Sequence, residues 1–468
     1  MLEKRVLIGA CAAAVGEVVD LFGWVDTKRD HGKLTFIDLR DRSGKVQCVG
    51  FQKMGELTTE SVIHITGLVK QRPPKLVNES LPLGAIEVDV QEYEVLNKAD
   101  ELPIPIEGDG HDIREDARLQ YRYLDLRRER MRNMLKLRSE FAHAMRQAFV
   151  NRDFRDIETP ILTKSTKEGA RDFVIPSRFY PGKFYALPQS PQQYKQLLMT
   201  AGVENYFQFA RCVRDEDLRA DRGFEFTQVD VEMSFVDRQD VMQTIEAVVK
   251  ESVLAVGGKL KDQNFPVYTY AEAKKQFGED KFDLRTEEDK TENRLAFAWV
   301  IDFPFFKEVD KKDAAEIRDG KSGWTFTHNP FSKPKDEFIS QHLEGKDVGE
   351  ILTTQYDLVC NGYEVGGGSI RSHTPELLRA TFKIMGYSDA QIEENVGHML
   401  KAFSLGTPPH GGIALGLDRL IMLLTGETSL KEGTPFPMTS SGRVAVMDAP
   451  TDILPEQLAE LGLAMKTK

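Results

Sequence analysis

The densest group of chemically capable side chains lies in the segment 206–235, YFQFARCVRDEDLRADRGFEFTQVDVEMSF. Acidic and basic residues alternate through its middle, from Arg214 to Arg222. Guanidinium groups there could bind an anionic phosphate, and the carboxylates could bind a cationic or hydroxyl-bearing group. By composition alone, such a loop is more often the solvated tip of a hairpin than a binding site.

The strand that follows this loop favours a site. If the strand is regular, alternation gives it one apolar face and one polar face. The polar face comprises Phe226, Gln228, Asp230 and Glu232. Four such residues in register beside a charged loop rarely serve solubility alone, so we interpret the segment as a site for a phosphate-bearing ligand.

A second group surrounds Asn361-Gly362, a strong signal for a two-residue hairpin turn. Such a turn makes Asp357 the diagonal neighbour of Glu364 on one face of the hairpin. In a regular strand Gly366 and Gly368 lie further along that face and leave the space beside the acids open. Two carboxylates within reach of one cation predict a magnesium site, with a solvated acidic strand as the alternative.

Isolated residues elsewhere could contact a ligand, but each has a structural alternative. Lys195 shares a helical face with Gln192 in a helix that Ser190 could cap, and both could be ordinary surface residues. Arg419, near the start of an apolar helix, is either a phosphate clamp or the salt-bridge partner of Asp418.

Two more residues remain open on pattern alone. Arg371 faces away from the acidic pair in a regular strand, so it can join them only through a bulge, which the preceding glycine run would ease. His328, in the polar loop GWTFTHNPFSKP, is either a ligand contact or an ordinary loop histidine.

Short strand-like runs separated by turn signals fill residues 15–95. This spacing is typical of a small β-barrel of the five-stranded OB type, a fold that commonly binds single-stranded nucleic acid on an open face. Phe36 could stack on a base there, among the basic residues Lys28, Arg29, His31, Lys33, Arg40 and Arg42. A core phenylalanine among solvated charges is an equally open alternative.

Proline and glycine residues between 96 and 117 indicate a linker, after which a long helical pattern begins. Its buried stripe should contain Leu135, Phe141, Met145 and Phe149. The many arginines at 118–132 could follow a phosphate backbone, but such residues more commonly solvate a helix.

The totals limit the class of protein. Hydrophobic residues make up 41% and charged residues 29% of the chain, and no apolar run is long enough to span a membrane. The cysteines at 11, 48, 212 and 360 are too far apart for a disulfide framework or a zinc motif, so we expect reduced thiols. The brief run VLIGACAAAV after Arg5 resembles a signal peptide, but GEVVDLFGWV continues it as a strand pattern, so we expect a cytoplasmic protein. The net charge of −12 argues against indiscriminate nucleic-acid binding but permits a local basic surface.

Three segments occur in the order of the signature motifs of class II aminoacyl-tRNA synthetases, which the chain resembles. They are the segment with Pro160 near 150–162, the charged hairpin near 206–235 and the run GLDRL within 411–426. QSPQQYKQLLM, FTQVDVEMSF and YEVGGGSIR narrow the resemblance to the aspartyl-tRNA synthetases. It covers nearly the whole chain and implies an α+β architecture, with an OB-type barrel at 1–100, a hinge at 101–130 and a catalytic domain with a helix-flanked antiparallel sheet at 131–468.

The resemblance implies that ATP activates L-aspartate as an adenylate and that the aspartyl group passes to the 3′ end of tRNA-Asp. It also implies a homodimer joined through the first motif, and Mg²⁺ held by Asp357 and Glu364. Arg214 and Arg419 would hold the α- and γ-phosphates. Glu216 would lie beside the phosphates and the acceptor end, and Phe226 would stack on adenine.

For the amino acid, the resemblance implies a grip by Lys195 and Arg371 on the side-chain carboxylate. The other contacts would be Glu168, Ser190, Gln192, Gln228, Asp230 and His328, with Gln228 also near ATP. The nucleophile is already an ionised carboxylate, so catalysis would need positioning and electrostatic stabilisation rather than a side-chain base.

The chain departs from the family pattern in two places. Bacterial members usually carry a large insertion domain between the second and third motifs, but within 257–294 only residues 279–294 span its place. The pair that is commonly His-His is His328-Asn329 here.

In the barrel, Phe36 and Gln47 match family positions that hold the middle of the anticodon, and Arg29 lies beside them. His31 occupies a position associated in this family with acceptance of both tRNA-Asp and tRNA-Asn, so we expect tRNA-Asn as a second substrate.

Three alternative functions fit parts of the sequence. Asparaginyl- and lysyl-tRNA synthetases share the fold, although Lys195 with Arg371 suits an anionic side chain better than an amide or an ammonium group. A synthetase-derived amide-forming enzyme would not need the barrel. A purely RNA-binding relative should have lost the phosphate arginines or the acidic pair.

Overall fold

The computed structural model describes residues 5–32, 34–166, 168–309 and 322–465. The chain divides into two units, Met1–Pro105 and Ile106–Lys468, and each has a hydrophobic core of its own. None of the helices within the described ranges combines the length and the hydropathy that a bilayer crossing requires.

The described part of the first unit forms a closed five-stranded barrel, which confirms the predicted OB-type architecture. Its strands are β1 (Val18–Asp30), β2 (Leu34–Asp41), β3 (Gly44–Phe51), β4 (Val62–Gln71) and β5 (Ile86–Asn97), joined in the order β1-β2-β3-β5-β4. Because side chains alternate along each strand, every second residue enters the core, among them the fully buried Leu21, Ile37 and Ile65.

The second unit surrounds one large sheet with helices. Its described helices are α1 (Glu115–Gln120), α2 (Arg122–Asp125), α3 (Glu129–Val150), α4 (Gln192–Thr200), α5 (Arg238–Ala255), α6 (Tyr270–Phe277), α7 (Glu287–Thr291), α8 (Ile339–Glu344), α9 (Pro375–Ile384), α10 (Asp389–Phe403), α11 (Leu417–Leu424) and α12 (Pro455–Glu460). Its described strands are β6 (Arg155–Asp156), β7 (Val174–Pro176), β8 (Phe184–Ala186), β9 (Asn205–Val213), β10 (Glu225–Ser234), β11 (Lys259–Leu260), β12 (Val267–Thr269), β13 (Arg294–Leu295), β14 (Phe297–Ile301), β15 (Phe306–Glu308), β16 (Trp324–Phe326), β17 (Tyr356–Cys360), β18 (Tyr363–Ile370) and β19 (His410–Gly416).

The large sheet has the order β12-β14-β17-β18-β19-β10-β9-β6 in the described ranges. Its inner pairs are antiparallel, as predicted, whereas the edge pairs β12·β14 and β6·β9 are parallel. Parallel neighbours need a crossover connection, and a helix provides it in both cases, α6 at one edge and α4 at the other. The sheet is therefore mixed, and the α+β class is confirmed.

Helix α3 packs against the sheet and α5 along the stripe that its sequence predicts. Phe141, Met145 and Phe149 are fully buried, and Leu135 is partly buried against the same core. The apolar face of β10, which includes Val229 and Val231, contributes to this core. Because that face is buried in the core, the polar face of β10 points to the opposite side of the sheet.

The arginines that precede α3 do not solvate a helix, so that expectation is wrong for several of them. Arg118, Arg122 and Arg128 are at most 6% exposed. Arg122 and Arg128 pair with the buried Asp125, at 2.6 and 2.8 Å. Arg118 pairs with Glu432, at 2.8 Å, and Arg122 donates to the carbonyl of Lys431, at 2.7 Å, so these two arginines fasten the start of the second unit to residues after α11.

Candidate active site

The polar face of β10 lines the floor of the candidate site. Asp230 and Glu232 are fully buried on that face, whereas Phe226 and Gln228 remain partly accessible. The strand runs between β9 and β19, with Asp230 opposite Gln208 on one side and Ala414 on the other. The predicted alternation therefore holds.

Two buried cations meet the acids of this face. The ammonium group of Lys195 lies 2.6 Å from Asp230 Oδ1 and 3.3 Å from Glu232 Oε2. Arg371 donates to both oxygens of Glu232, at 2.9 and 3.1 Å, and also to the hydroxyl of Ser369. Although burial opposes it, the charges of Arg371 and Lys195 lower the pKa of Glu232.

Two carboxylates in this region keep buried oxygens without a partner. Asp230 Oδ2 and Glu168 Oε1 accept no hydrogen bond from any described residue. The other oxygen of Glu168 accepts a hydrogen bond from Ser190, at 2.6 Å. Burial raises the pKa of Glu168, against the opposing effects of Ser190 and Arg214. Buried acceptors of this kind suit a ligand that donates hydrogen bonds, such as an ammonium group.

The acidic pair forms, but over a different glycine from the predicted ones. Asp357 pairs with Gly367 across the hairpin, because a bulge in β18 inserts one residue after Glu364. A Cβ atom on Gly367 would lie 3.2 Å from Asp357 Oδ1 and 3.3 Å from Glu364 Oε1, so both carboxylates converge over this residue. The expectation for Gly366 and Gly368 is wrong, since a Cβ on either would meet core atoms on the other face.

The same bulge explains how Arg371 reaches the site. One extra residue reverses the alternation along the rest of β18. Arg371 thereby lies on the same face as Gly367, and its guanidinium group meets Glu232 of β10.

Basic and polar residues surround the acidic pair. His328 Nε2 lies 3.1 Å from Asp357 Oδ2, and Gln355 donates to Asp357 Oδ1, at 2.7 Å. The ammonium group of Lys281 lies 2.8 Å from Glu364 Oε2. Burial raises the pKa of Asp357, whereas the charge of Lys281 overcomes burial and lowers the pKa of Glu364 to about 2.

The chemistry of this pair suits a hard cation that takes further oxygen ligands. Among the described residues, no three His, Cys, Asp or Glu side chains group closely enough to form a metal site by themselves. Mg²⁺ is commonly held by one or two carboxylates together with water and substrate phosphates, and two convergent carboxylates meet that requirement.

Arg214 and Phe226 form one wall at the open end of β10. The guanidinium carbon of Arg214 lies 5.1 Å from the ring centroid of Phe226, and Arg214 also donates to the carbonyl of Gln189. Glu216, in the loop between β9 and β10, pairs with Arg222, at 2.9 Å.

Arg419 lies in the first turn of α11. It donates to the backbone carbonyl of Glu364, at 2.6 Å, and pairs with Asp221, at 3.2 Å. The alternative that it pairs with Asp418 is wrong, because Asp418 instead pairs with Arg138 and accepts a hydrogen bond from the backbone of Thr227. Arg419 is thus directed toward the acidic pair and the charged loop.

The structure adds residues to the predicted site and gives a partner to one that had no role. Alternation placed Glu232 on the polar face, and the structure shows that it pairs with Lys195 and Arg371. Gln192 donates to Gln196, which in turn hydrogen-bonds with His410. Nothing in the sequence around Gln196 or His410 indicates a site. Lys281 lies in a weakly patterned, charged connection, and nothing local distinguishes it from its neighbours.

The four candidate RNA-binding residues of the barrel lie close together on β1, the turn after it, β2 and β3. Arg29 is 3.3 Å from the amide oxygen of Gln47. His31 contacts Phe36 edge to face, with ring centroids 5.3 Å apart. All four are at least partly accessible, as contact with a base requires.

Two family models match the chain. Residues 114–440 match the model for class II tRNA synthetases (D, K and N), and residues 19–96 match a model for OB-fold nucleic acid binding domains. The first covers the strands and helices that carry the candidate site, and the second covers the barrel.

Relatives and solved structures agree with these matches. Proteins from Phenylobacterium zucineum and Zymomonas mobilis, both named aspartate–tRNA(Asp/Asn) ligase, are 37% and 38% identical, and each alignment covers 97% of this chain and at least 96% of the relative. These alignments run over 585 and 587 positions, more than the 468 residues of this chain, so the relatives contain residues that it lacks.

The fold is shared with an Entamoeba histolytica aspartyl-tRNA synthetase at a TM-score of 0.71, 21% identity, and coverage of 93% of this chain and 91% of that chain. It is also shared with a Pyrococcus horikoshii asparaginyl-tRNA synthetase solved with asparaginyl-adenylate, at a TM-score of 0.72, 24% identity, and coverage of 94% and 99%. Such distant structures support the fold, whereas the sequence relatives identify the family. The chain belongs to the class II aminoacyl-tRNA synthetases and, within them, to the aspartate–tRNA ligases.

Proposed function

We propose that this protein activates L-aspartate with ATP to form aspartyl-adenylate and then transfers the aspartyl group to the 3′ end of tRNA-Asp. The observation that carries the proposal is the buried arrangement of Lys195 and Arg371 around Glu232.

This arrangement leaves donors for an anionic side chain. An ammonium group has three N–H donors, and Asp230 and Glu232 can take two from Lys195. A guanidinium group has five, and Glu232, Ser369 and the Gly412 carbonyl accept four from Arg371. One donor remains on each residue for a carboxylate. An asparagine amide would turn its NH₂ group toward one of these donors and leave buried groups unpaired, which costs affinity.

The ammonium end of the amino acid has suitable acceptors in the same pocket. Asp230 Oδ2 and Glu168 Oε1 are buried acceptors with no described partner. Together with Ser190, Gln192 and Gln228 nearby, they would orient the substrate so that its α-carboxylate faces ATP. Positioning of this kind lowers the entropic part of the barrier.

The chemistry requires charge stabilisation rather than proton removal. As the α-carboxylate attacks the α-phosphorus, Arg214 would bind the phosphate oxygens on which negative charge develops, with Glu216 beside it. Phe226 would stack on adenine, and Arg419 would hold the γ-phosphate of the pyrophosphate leaving group. Asp357 and Glu364 would hold Mg²⁺, which supplies further positive charge to the phosphates, and His328 would contact the site from beside Asp357.

We further propose that the barrel, residues 1–100, reads the anticodon with Arg29, His31, Phe36 and Gln47. Residues 101–130 would act as a hinge, and residues 131–468 would catalyse both steps. The relatives' name, aspartate–tRNA(Asp/Asn) ligase, supports tRNA-Asn as a second substrate. The enzyme would work in the cytoplasm.

A homodimer joined through residues near 150–162 is the remaining part of the proposal. Apolar side chains are exposed there and in the hairpin that follows: Ile161 is 61% exposed, Phe179 74% and Tyr180 59%. An exposed apolar surface of this kind marks a protein interface in many proteins.

The test is ATP–pyrophosphate exchange with each amino acid, followed by aminoacylation of purified tRNA. Aspartate should exceed asparagine and lysine by orders of magnitude in kcat/KM. Preference for asparagine or lysine would assign one of those synthetase activities instead. Asparagine formation without tRNA would indicate an amide-forming enzyme, and no exchange with any amino acid would leave an RNA-binding protein.

A further inference from the structure

The segment between α6 and α7 brings a lysine to the acidic pair. Helix α6 ends at Phe277, and the next residue, Gly278, turns the chain with a φ of +81°. Lys281 follows three residues after Gly278. Its ammonium group lies 2.8 Å from Glu364 Oε2. This segment lies at the start of the short connection that stands where bacterial relatives are expected to carry an insertion.

The position of Lys281 is fixed by its neighbour rather than by the ion pair alone. Phe282 is 4% exposed and stacks on Phe277 with ring centroids 4.0 Å apart. The carbonyl of Phe282 accepts a hydrogen bond from Gly362, at 3.0 Å, in the turn between β17 and β18. Gly362 is two residues from Glu364, so the anchor and the ion pair hold the same hairpin.

The geometry points to Lys281 as a resident counter-ion that couples cation binding to ATP binding, an inference that rests on the proposed function. In the free enzyme its ammonium group occupies one oxygen of Glu364, and a divalent cation must displace it to bind both carboxylates. ATP offers the displaced ammonium group new partners, because phosphate oxygens near the cation would be within reach of its flexible side chain. Cation and nucleotide therefore favour each other's binding.

This coupling predicts two effects of opposite sign. Without the lysine charge, a divalent cation meets no competitor at Glu364 and binds the free enzyme more tightly. Metal-free ATP, in contrast, binds more weakly, because the lysine charge no longer offsets the repulsion between its phosphates and the two carboxylates. Loss of one partly exposed ion pair should change each affinity by about fivefold.

The experiment uses the full chain and two binding measurements. Mn²⁺ binding to the nucleotide-free enzyme is followed by electron paramagnetic resonance, and binding of a non-hydrolysable ATP analogue in excess EDTA is followed by equilibrium dialysis. Lys281→Met should bind Mn²⁺ about fivefold more tightly and the analogue about fivefold more weakly, and Lys281→Arg should stay near the wild type.

The matched control is Lys274→Met, which removes a lysine from the same region that pairs with Asp280, at 3.4 Å, rather than with the acidic pair. Unchanged affinities in Lys281→Met, or equal changes in Lys274→Met, would overturn the inference. Glu364→Gln tests the underlying site separately. If Glu364→Gln binds Mn²⁺ as well as the wild type does, the proposed metal site fails, whereas loss of binding there with no effect of Lys281→Met rejects the counter-ion alone.

Discussion

The buried charges on β10 and beside it alternate in sign. Lys195 lies between Asp230 and Glu232, and Glu232 lies between Lys195 and Arg371. A buried ion stripped of its partner is strongly destabilising, so these residues hold one another in place, and under the proposed function they would also hold the substrate. Arg214 and Arg419 differ, because both are partly accessible and Arg419 pairs with a partly accessible carboxylate, Asp221.

Arg214→Ala and Arg419→Ala should therefore abolish adenylate formation while the protein stays folded. We expect a loss of at least about 100-fold in kcat/KM for ATP–pyrophosphate exchange, the usual effect of removing a group that stabilises transition-state charge. Arg211→Ala is the control, since Arg211 pairs with Glu225 on the outer side, at 2.6 Å, and is 55% exposed. Wild-type exchange rates in both test variants, with unchanged thermal unfolding, would contradict the assignment.

At the scale of elements, a single bulge in strand β18 positions both the acidic pair and Arg371. Before the bulge Glu364 faces the site, and after it Gly367 and Arg371 do. Gly368 faces the core instead, where a Cβ atom would lie 2.2 Å from the backbone oxygen of Gly412. Neighbouring glycines in one strand thus serve different purposes.

Gly367→Ala and Gly368→Ala should separate these purposes. The Gly367 variant adds a methyl group between the two carboxylates, so we expect weaker cation and ATP binding with near-normal stability. The Gly368 variant overlaps backbone, and overpacking of this kind costs about 1–3 kcal/mol. Denaturant unfolding together with Mn²⁺ titration checks both. The prediction fails if Gly367→Ala is the less stable of the two or keeps wild-type cation affinity.

At the scale of the whole molecule, ion pairs join residues from the two ends of the second unit. Glu432, after α11, accepts hydrogen bonds from Arg118 and from Arg130, at 2.8 Å each. Although burial opposes it, these arginines lower the pKa of Glu432 to about 2. The carboxylate thus joins the first helices of the unit to the segment after its last large helix.

Acid should weaken the ion pairs of Glu432 with Arg118 and Arg130. The folded pKa of Glu432 lies below its ordinary value of 4.5, so its contribution is complete above pH 4.5 and is lost as the pH falls toward 2. This pKa shift corresponds to a contribution on the order of 3 kcal/mol to the free energy of unfolding. Glu432→Gln should lower stability at pH 7, and the difference from wild type should shrink below pH 4.5 in urea unfolding. Glu344→Gln, which removes an exposed partner of Lys346, should change little at any pH, and a pH-independent difference for Glu432→Gln would refute the assignment.

The proposed range of tRNA substrates also belongs to the whole molecule, because reading the anticodon on the barrel and charging the acceptor end in the second unit would involve both units. We expect tRNA-Asn to be aspartylated at a rate within about tenfold of tRNA-Asp, since one base read less strictly corresponds to about 1 kcal/mol. Charging assays with the two purified tRNAs test this. A rate with tRNA-Asn no better than with a non-cognate tRNA would exclude it, and the catalytic predictions would be unaffected.

The sequence by itself determined the barrel, the family and the polar face of β10, because strand alternation, turn dipeptides and signature motifs are local properties of the chain. It did not determine that the bulge directs Gly367 rather than Gly366 and Gly368 beneath the acids, since a bulge depends on how the neighbouring strands pack. Nor could it assign Glu232 to two cations, Arg118 to Glu432 or Lys281 to Glu364. Those contacts join residues 37 to 314 positions apart, and only the tertiary structure brings such groups within the few ångströms at which charges pair.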